Sequence, residues 1–429
     1  MIVTAVVVLT ALLALALPVA VVMGLLGLSL DRLYSDYGFY RIIGELTWTH
    51  AHEYIMIAIP LFILLGELLL RSGIAARAYN VIALWLNWLP GGLMHANIAC
   101  CAMFAANAGS SVATAATIGT VAIPQLHKRK YNERLFLGSI AAGGTLGILI
   151  PPSINMIVYG FLTDTSIPQL YLAGIVPGIL LAALFMLTVL IACIIWPAWG
   201  GVRENATWAA RIAGLPDLLP PLFIFILCVG SIYAGLATPT EAAALGVLGA
   251  LATAAWHRSL TWKVFRDSLE ATMLTTTMLL LIILVAYFLN FVLASIGMVD
   301  QINKMIASLA WTPLKTMLLI IFLYLVMGIF METMAMMVLT VPIVTPIVVS
   351  LGYDPVWFGV LLMILCEVAQ IHPPFGLVMY VVQGIRERGS LNDVVIGVIP
   401  FVIAMLVLIA IMLSFADVAM YLPKLFYGR

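Results

Sequence analysis

A proline pair interrupts an apolar, membrane-length segment twice in this chain. The first lies in Gly147-Ile148-Leu149-Ile150-Pro151-Pro152-Ser153 and the second in Ala369-Gln370-Ile371-His372-Pro373-Pro374-Phe375. Two prolines remove two backbone donors and clash with the preceding turn, so a helix breaks there. Within lipid, non-helical backbone is tolerated only where it is buried in protein or lines a watery cavity. Each pair follows the centre of a polar break in the preceding apolar segment by 42 positions: Gly109 precedes Pro151, and Met331 precedes Pro373. Paired breaks at matching places in two halves point to a secondary transporter with a binding site near the bilayer midplane.

Composition sets the solvent. Of 429 residues, 64% are apolar and 9% charged, against roughly 25% charged in a soluble domain. Many helical spans are expected and no soluble domain fits. Segments of alternating polarity, the mark of a membrane barrel, are absent from the sequence. The formal net charge is zero, which implies no nucleic-acid partner. No G-x-x-x-x-G-K-[ST] phosphate loop occurs, so the chain reads as no ATPase and, more generally, as no enzyme. Cys100, Cys101, Cys193, Cys228 and Cys366 fall in or beside apolar runs and read as small buried thiols. The first 28 residues are apolar without a preceding positive stretch and are expected to be a retained span.

The expected fold is an all-α polytopic membrane protein built of two inverted repeats, each with a re-entrant helical hairpin and a broken helix. The first repeat covers 1–199, with scaffold spans at about 1–93, a hairpin at about 96–126 and a broken helix at about 135–163. A connector covers 200–216. The second repeat covers 217–429, with scaffold spans at about 217–296, a hairpin at about 314–350 and a broken helix at about 355–384. Within the scaffold the expected spans are about 3–29, 54–71, 77–93, 217–235, 239–256 and 268–296, and further spans lie at about 168–197 and 391–421. With Lys128–Arg134 in the cytoplasm and both interrupted segments read as hairpins, 13 of the 19 Lys and Arg fall inside, including Arg32 and Arg41. The amino terminus and the loop Gly352–Pro355 then lie outside. The connector, with Trp199, Arg203, Trp208 and Arg211, suits an interfacial amphipathic segment or a plain surface loop equally.

The candidate chemistry gathers at the breaks. Asn107, Gly109, Ser110, Ser111 and Thr114 occupy the first hairpin tip, where small residues permit close approach and hydroxyls and an amide can meet a cation or a carboxylate. The first proline break frees carbonyls such as those of Gly147 and Ile150, which suit Na⁺. The helix restarting near Ser153 offers its amino terminus to an anion, with Ser153 and Asn155 placed for substrate. Glu332 and Thr333 occupy the second tip. A carboxylate at membrane depth is costly unless paired or hydrated, so Glu332 either caps hairpin donors or helps bind a cation or proton. His372 is either a substrate contact or a histidine satisfied by backbone. Thr238-Pro239-Thr240-Glu241 has the form of a helix cap. Glu67 and Arg71 have the spacing of a helix-end pair. His50, His52 and Glu53 lack a further ligand set and read poorly as a metal site.

The assembled runs resemble one family. Pro60-Leu61-Phe62-Ile63-Leu64-Leu65-Gly66-Glu67-Leu68 with Ser72-Gly73-Ile74-Ala75, Gly91-Gly92-Leu93, Gly109-Ser110-Ser111, Gly147–Ser153, Thr238-Pro239-Thr240-Glu241-Ala242-Ala243 and Met331-Glu332 are similar to the large membrane subunit of the tripartite ATP-independent periplasmic (TRAP) transporters, collinearly over nearly the whole chain. The resemblance implies an elevator-type carrier in a bacterial or archaeal inner membrane. It implies a small four-span membrane subunit, a periplasmic substrate-binding protein, a carboxylate substrate and Na⁺ as coupling ion. It places sodium ligands, mostly carbonyls, near Ser110, Gly147, Ile150 and Pro152, and near Gly328, Ala369 and His372. Substrate contacts are expected from Asn107, Ser111, Ser153, Asn155, Glu332, Thr333 and His372. Many members have Gly, Thr and Asn where this chain has Ala369, His372 and Val378. A backbone ligand survives such exchanges and a threonine hydroxyl ligand does not, so the second sodium site departs from the family pattern. A stand-alone ion-coupled dicarboxylate symporter of related architecture is the alternative.

Overall fold

The computed structural model describes residues 1–202, 206–308, 311–386 and 388–428. The side chains at 106–108, 303, 306 and 307 lie outside that description, as does the sequence-predicted connector residue Arg203. Among the described residues the molecule is helical, and seven helices are long and apolar enough to cross a membrane. The first half runs α1 (Ile2–Ala14), α2 (Val19–Tyr34), α3 (Ile43–Ala51), α4 (Ala58–Arg71), α5 (Ile74–Leu86), α6 (Gly92–Ala108), α7 (Ser111–Lys128), α8 (Glu133–Thr145), α9 (Ile154–Thr163) and α10 (Ile167–Ile195). The connector holds α11 (Trp208–Gly214). The second half runs α12 (Leu219–Phe225), α13 (Ser231–Tyr233), α14 (Pro239–Trp256), α15 (Trp262–Ser295), α16 (Met298–Ser308), α17 (Pro313–Phe330), α18 (Thr333–Ser350), α19 (Pro355–Ile371), α20 (Leu377–Arg386), α21 (Leu391–Ser414) and α22 (Asp417–Tyr427).

Capping chemistry sets many of these starts. Asn132 accepts from Leu135 N at the head of α8, and Asp354 accepts from Val356 N and Trp357 N at the head of α19. At α14 the expected cap is complete: Thr238 Oγ1 accepts from Glu241 N and Glu241 Oε2 accepts from Thr238 N at 2.8 Å. Arg71 and Glu67 form their ion pair at 2.8 Å. His50 stacks on Tyr287, with ring centroids 3.7 Å apart, and His52 Nδ1 lies 2.8 Å from Trp48 O.

The helices form two groups. Hairpins α6–α7 and α17–α18 wrap the broken helices α8–α9 and α19–α20 together with α10 and α21. In this body every residue of α8 from Leu135 to Thr145 and of α19 from Val356 to Ile371 is buried. Backbones meet closely where α8 crosses α21: a Cβ on Gly138 would stand 2.1 Å from Gly397 O, and one on Gly397 would stand 2.0 Å from Arg134 O. The second group, α2, α4, α14 and α15, packs beside that body and keeps large apolar side chains outward, such as Leu248 and Leu274. A buried hydrogen-bond chain ties the body to α5: Tyr79 Oη donates to Asn97 Oδ1 at 2.8 Å, and Asn97 Nδ2 donates to Ser139 Oγ at 2.9 Å.

Three expectations are corrected. The apolar run 3–29 is two antiparallel helices, α1 and α2, turning at 15–18, with Thr4 Oγ1 within 2.6 Å of Tyr34 Oη. The expected span 77–93 is the 13-residue helix α5, which lies against the connector with Trp85 on Trp208. The last span ends at Ser414, and α22 is a separate helix. These changes move charges. Gly24 faces Val285 and Gly27 faces Phe288, so α2 runs parallel to α15. Thr240 Oγ1 donates to Tyr54 O and Gly246 faces Leu65, so α14 runs parallel to α4. α14 turns back into α15 across residues 257–261, so α2, parallel to α15, runs opposite to α14. Arg32 and Arg41 fall on the face holding Tyr54 and Pro355, not on the face of Lys128 where the charge count put them. Arg71 and Arg77, flanking the α4–α5 turn, join the Lys128 side in their place, so the basic bias is kept.

In a cysteine-free background, single cysteines at Tyr37 and Tyr353 are expected to react with an impermeant thiol reagent from one side of the membrane. A cysteine at Lys128 is expected to react from the other. Labelling of Tyr37→Cys together with Lys128→Cys from one side would restore the uncorrected topology.

Candidate functional site

The two expected repeats align in sequence with a constant shift. Adding 222 to a first-half position gives its second-half counterpart: Gly24 and Gly27 match Gly246 and Gly249, Asn132 matches Asp354, and Pro151 matches Pro373. Ser110 and Glu332 are counterparts, as are Ser111 and Thr333, and Gly147 and Ala369.

At the first break α8 ends at Thr145 and α9 begins at Ile154. Ser153 caps α9 by accepting from Met156 N at 3.4 Å, and Ser110 caps α7 by accepting from Ala113 N at 3.4 Å. The tip and the break touch. Ser111 Oγ donates to Thr145 O at 3.3 Å, and a Cβ on Gly147 would stand 3.3 Å from both Ser110 C and Ser111 N. Gly109 turns the chain at φ +58°, with Pro152 O 3.6 Å from where its Cβ would stand. The expected neighbours Ser110, Ser111, Gly147 and Pro152 are thus together. Ile150 packs its side chain against Gly178. The side chain of Asn107 lies outside the described residues.

At the second break Glu332 caps α18, its Oε2 accepting from Ala335 N at 3.0 Å. Thr333 Oγ1 donates to Glu332 Oε1 at 2.9 Å and accepts from Gln370 Nε2 at 3.4 Å. That order fixes the Gln370 amide. A carboxylate only accepts, so the threonine proton goes to Glu332 and Gln370 presents its NH₂ to Thr333. Gln370 Oε1 is left without a partner. Close approach is kept here by the hairpin glycine, since a Cβ on Gly328 would stand 2.6 Å from Ala369 Cβ. His372 ends α19, half-buried, with Nδ1 unpartnered and its carbonyl accepting from Gly376 N at 3.0 Å.

Both halves meet in one cavity of about 390 Å³. Gly109, Ser110, Ser111 and Asn155 line it from the first half, and Glu332, Thr333 and Gln370 line it from the second. α4 contributes Glu67, and α15 contributes Thr275, Met278 and Leu279. A neighbouring cavity of about 250 Å³ lies against Gly328, Met331, Glu332, Ala369 and Gln370. Among the described residues these two cavities have neither Ser153 nor His372 in their walls. Asn155 is 7% exposed and its Nδ2 has no partner. Sequence reasoning passed over Gln370, although it is a polar residue beside the proline pair. It also assigned Glu67 only to its ion pair. A third omission is Glu367, a carboxyl inside the apolar run 355–371.

A valine at Gly147 would drive methyl groups into the main chain at Ser110–Ser111. Gly147→Val is expected to destabilise the body by about 1–3 kcal/mol, the usual cost of overpacking, seen as a lower unfolding midpoint in detergent. Gly384→Ala, with nothing within 4 Å of its Cβ position, is expected to leave that midpoint unchanged or slightly raised. Equal midpoints for the two variants would remove the close contact.

Comparison with known proteins agrees with this architecture. The family model for the DctM component of the tripartite ATP-independent periplasmic transporters matches residues 6–418. The chain is 30% identical to the C4-dicarboxylate TRAP transporter large permease protein DctM of Vibrio cholerae, over 96% of this chain and 95% of that protein. It is 29% identical to the sialic acid TRAP transporter large permease protein SiaM of the same organism, over 88% of both. Among solved structures, the Alcanivorax borkumensis YdaH transporter has a similar fold, with a TM-score of 0.69 at 14% identity, covering 93% of this chain and 98% of that one.

Proposed function

As the chain belongs to the tripartite ATP-independent periplasmic transporter family, DctM component, we propose that it is the large membrane subunit of a Na⁺-coupled, binding-protein-dependent carrier that takes up a carboxylate by an elevator movement. The observation that carries this reading is the single cavity lined by both hairpin tips and beside both breaks. The first half supplies two serine-capped helix starts, at Ser110 and Ser153, suited to an anion. The main chain freed around Gly147–Pro152, and around Gly328 and Ala369, supplies oxygen for Na⁺. A small four-span subunit on the scaffold and a periplasmic binding protein complete the assembly, in a bacterial or archaeal inner membrane.

The position of the cavity supports the elevator. With the halves read as inverted repeats, a residue on α4 and its counterpart on α15 lie at mirrored depths. The cavity meets α4 at Ile63–Leu70 and α15 at Thr275–Leu279. The counterparts of those segments are 285–292 and 53–57, which the cavity does not touch. It therefore sits off the axis, displaced toward the Lys128 side. Val112 and Ile63 both line it now. Their counterparts, Met334 and Val285, would meet in the mirrored state.

Proteoliposomes holding the complex and loaded binding protein are expected to accumulate substrate with a Na⁺ gradient and no ATP. Undiminished accumulation without that gradient would defeat sodium coupling. A short thiol cross-linker is expected to join cysteines at Val112 and Ile63 in one fraction of molecules and cysteines at Met334 and Val285 in another, each link stopping uptake. Failure of the second pair to link in active protein would defeat the elevator.

A further inference from the structure

Two buried amides in the wall of the larger cavity each have one group left open. Asn155, in the first turn of α9, is 7% exposed, and among the described residues its Nδ2 has nothing to donate to. Gln370, beside the second proline pair, is 9% exposed, and among the described residues its Oε1 has nothing to accept from. A buried polar group without a partner is costly, and a ligand filling the cavity can complete both. One open group is a donor and the other an acceptor. The ligand that satisfies them brings an acceptor to Asn155 and a donor to Gln370.

The Asn155 end suits a carboxylate. The head of α7, with Ser110 and Ser111, lines the cavity beside it, and the opening N–H groups of a helix have no partner within that helix. Among the described residues the first tip and break bring no acid into the wall. The Gln370 end does not suit a second carboxylate. Gln370 Nε2 is engaged with Thr333 Oγ1 at 3.4 Å, so the open group is the amide oxygen. The charged residue types in the wall are Glu332 and Glu67, and among the described residues no Lys, Arg or His lines either cavity. A carboxylate brings acceptors alone and would face acceptors there. An ammonium group is matched little better. Glu67 already holds Arg71 at 2.8 Å. Both oxygens of Glu332 accept within their own tip, from Ala335 N at 3.0 Å and Thr333 Oγ1 at 2.9 Å. A neutral O–H completes an amide oxygen without burying a second charge.

We propose that the substrate is a hydroxylated monocarboxylate. Its one carboxylate accepts from Asn155 Nδ2 and the head of α7, and a hydroxyl at its other end donates to Gln370 Oε1. Asn155 then selects for the acid and Gln370 for the hydroxyl, and a dicarboxylate of equal length binds more weakly. This inference rests on the reading of the cavity as the substrate site of a carboxylate carrier.

The test uses the purified membrane complex in Na⁺, with Met278→Cys, in the cavity wall on α15, as reporter in a cysteine-free background. A small thiol reagent labels that cysteine, and a ligand in the cavity slows the labelling. The probes are butyrate and caproate, each with its ω-hydroxy, ω-amino and ω-carboxy analogues, which differ at one end only. Within a series that protects, the hydroxy acid is expected to protect at the lowest concentration. Gln370→Met, which keeps the length of the side chain and removes its oxygen, is expected to raise that concentration about fivefold, the worth of one hydrogen bond. It is expected to leave protection by the unsubstituted acid unchanged. Any other member ranking first in either series overturns the proposal, whether or not the variant assembles. An undiminished preference for the hydroxy acid in Gln370→Met overturns it too. So does the absence of protection by every probe in a complex that takes up substrate from its loaded binding protein. Absence of Na⁺-driven uptake by that complex would instead count against the carrier reading itself.

Discussion

The structure depends on one constraint: backbone N–H and C=O groups freed by a broken helix must find partners inside a membrane. The chain breaks two of its most central helices and then surrounds the breaks. α8 and α19 are buried along their lengths, and the hairpin tips close over their ends. Side chains at Ser110, Ser153 and Glu332 take up donors that the new helix starts would leave open. Glycines at 147 and 328 let main chain approach main chain where a side chain would hold it off. Tips and breaks therefore hold together as one body, and any movement that carries the cavity must carry them all.

Much of this was legible in the sequence because breaks in lipid need special residues. The proline pairs, the tip serines and the Thr238–Glu241 cap each mark their position with side chains that have no other economical use there. The limits of α14, Pro239–Trp256, came out as read, since Pro, a capping box and the following His257 punctuate it. What failed was segmentation inside uninterrupted apolar sequence. Residues 15–18 turn α1 into α2 with Leu15, Ala16 and Leu17 before Pro18, and none of these is polar. A run of that length looks like one tilted span. The error propagated to the charge count, because one missed turn reverses the side of every loop until a second error cancels it. Reading α5 as a crossing span was that second error, so the amino terminus and all later loops kept their expected sides.

The site was legible by position more than by chemistry. Ser110, Ser111, Gly147 and Thr333 were chosen for lying at a tip or a break, and they meet there. Gln370 and Glu67 reach the cavity because of how α19 and α4 turn beside the tips, which composition does not reveal. Glu367 has a signal in the sequence, a lone carboxyl within a run of sixteen residues that are all buried, but the neighbouring proline pair and His372 mark the segment more strongly. His372 stands at the end of α19, with its carbonyl accepting from Gly376 N and its Nδ1 without a partner.

The two ends of the cavity are unlike although they share one plan. Counterpart positions cap α7 and α18, but Ser110 caps with a hydroxyl and Glu332 with a carboxyl group. A carboxylate at the head of α18 offsets the positive end of that helix dipole, whereas a serine leaves the dipole of α7 uncompensated. α9 repeats the contrast: Ser153 caps it, while its counterpart Phe375, near the start of α20, offers no acceptor. The first half therefore presents two helix amino termini without fixed charge, and the second presents a carboxylate backed by Thr333 and Gln370. The two ends of the cavity thus differ in the side chains at 110 and 332 and at 153 and 375, while the helices that carry them follow the same order.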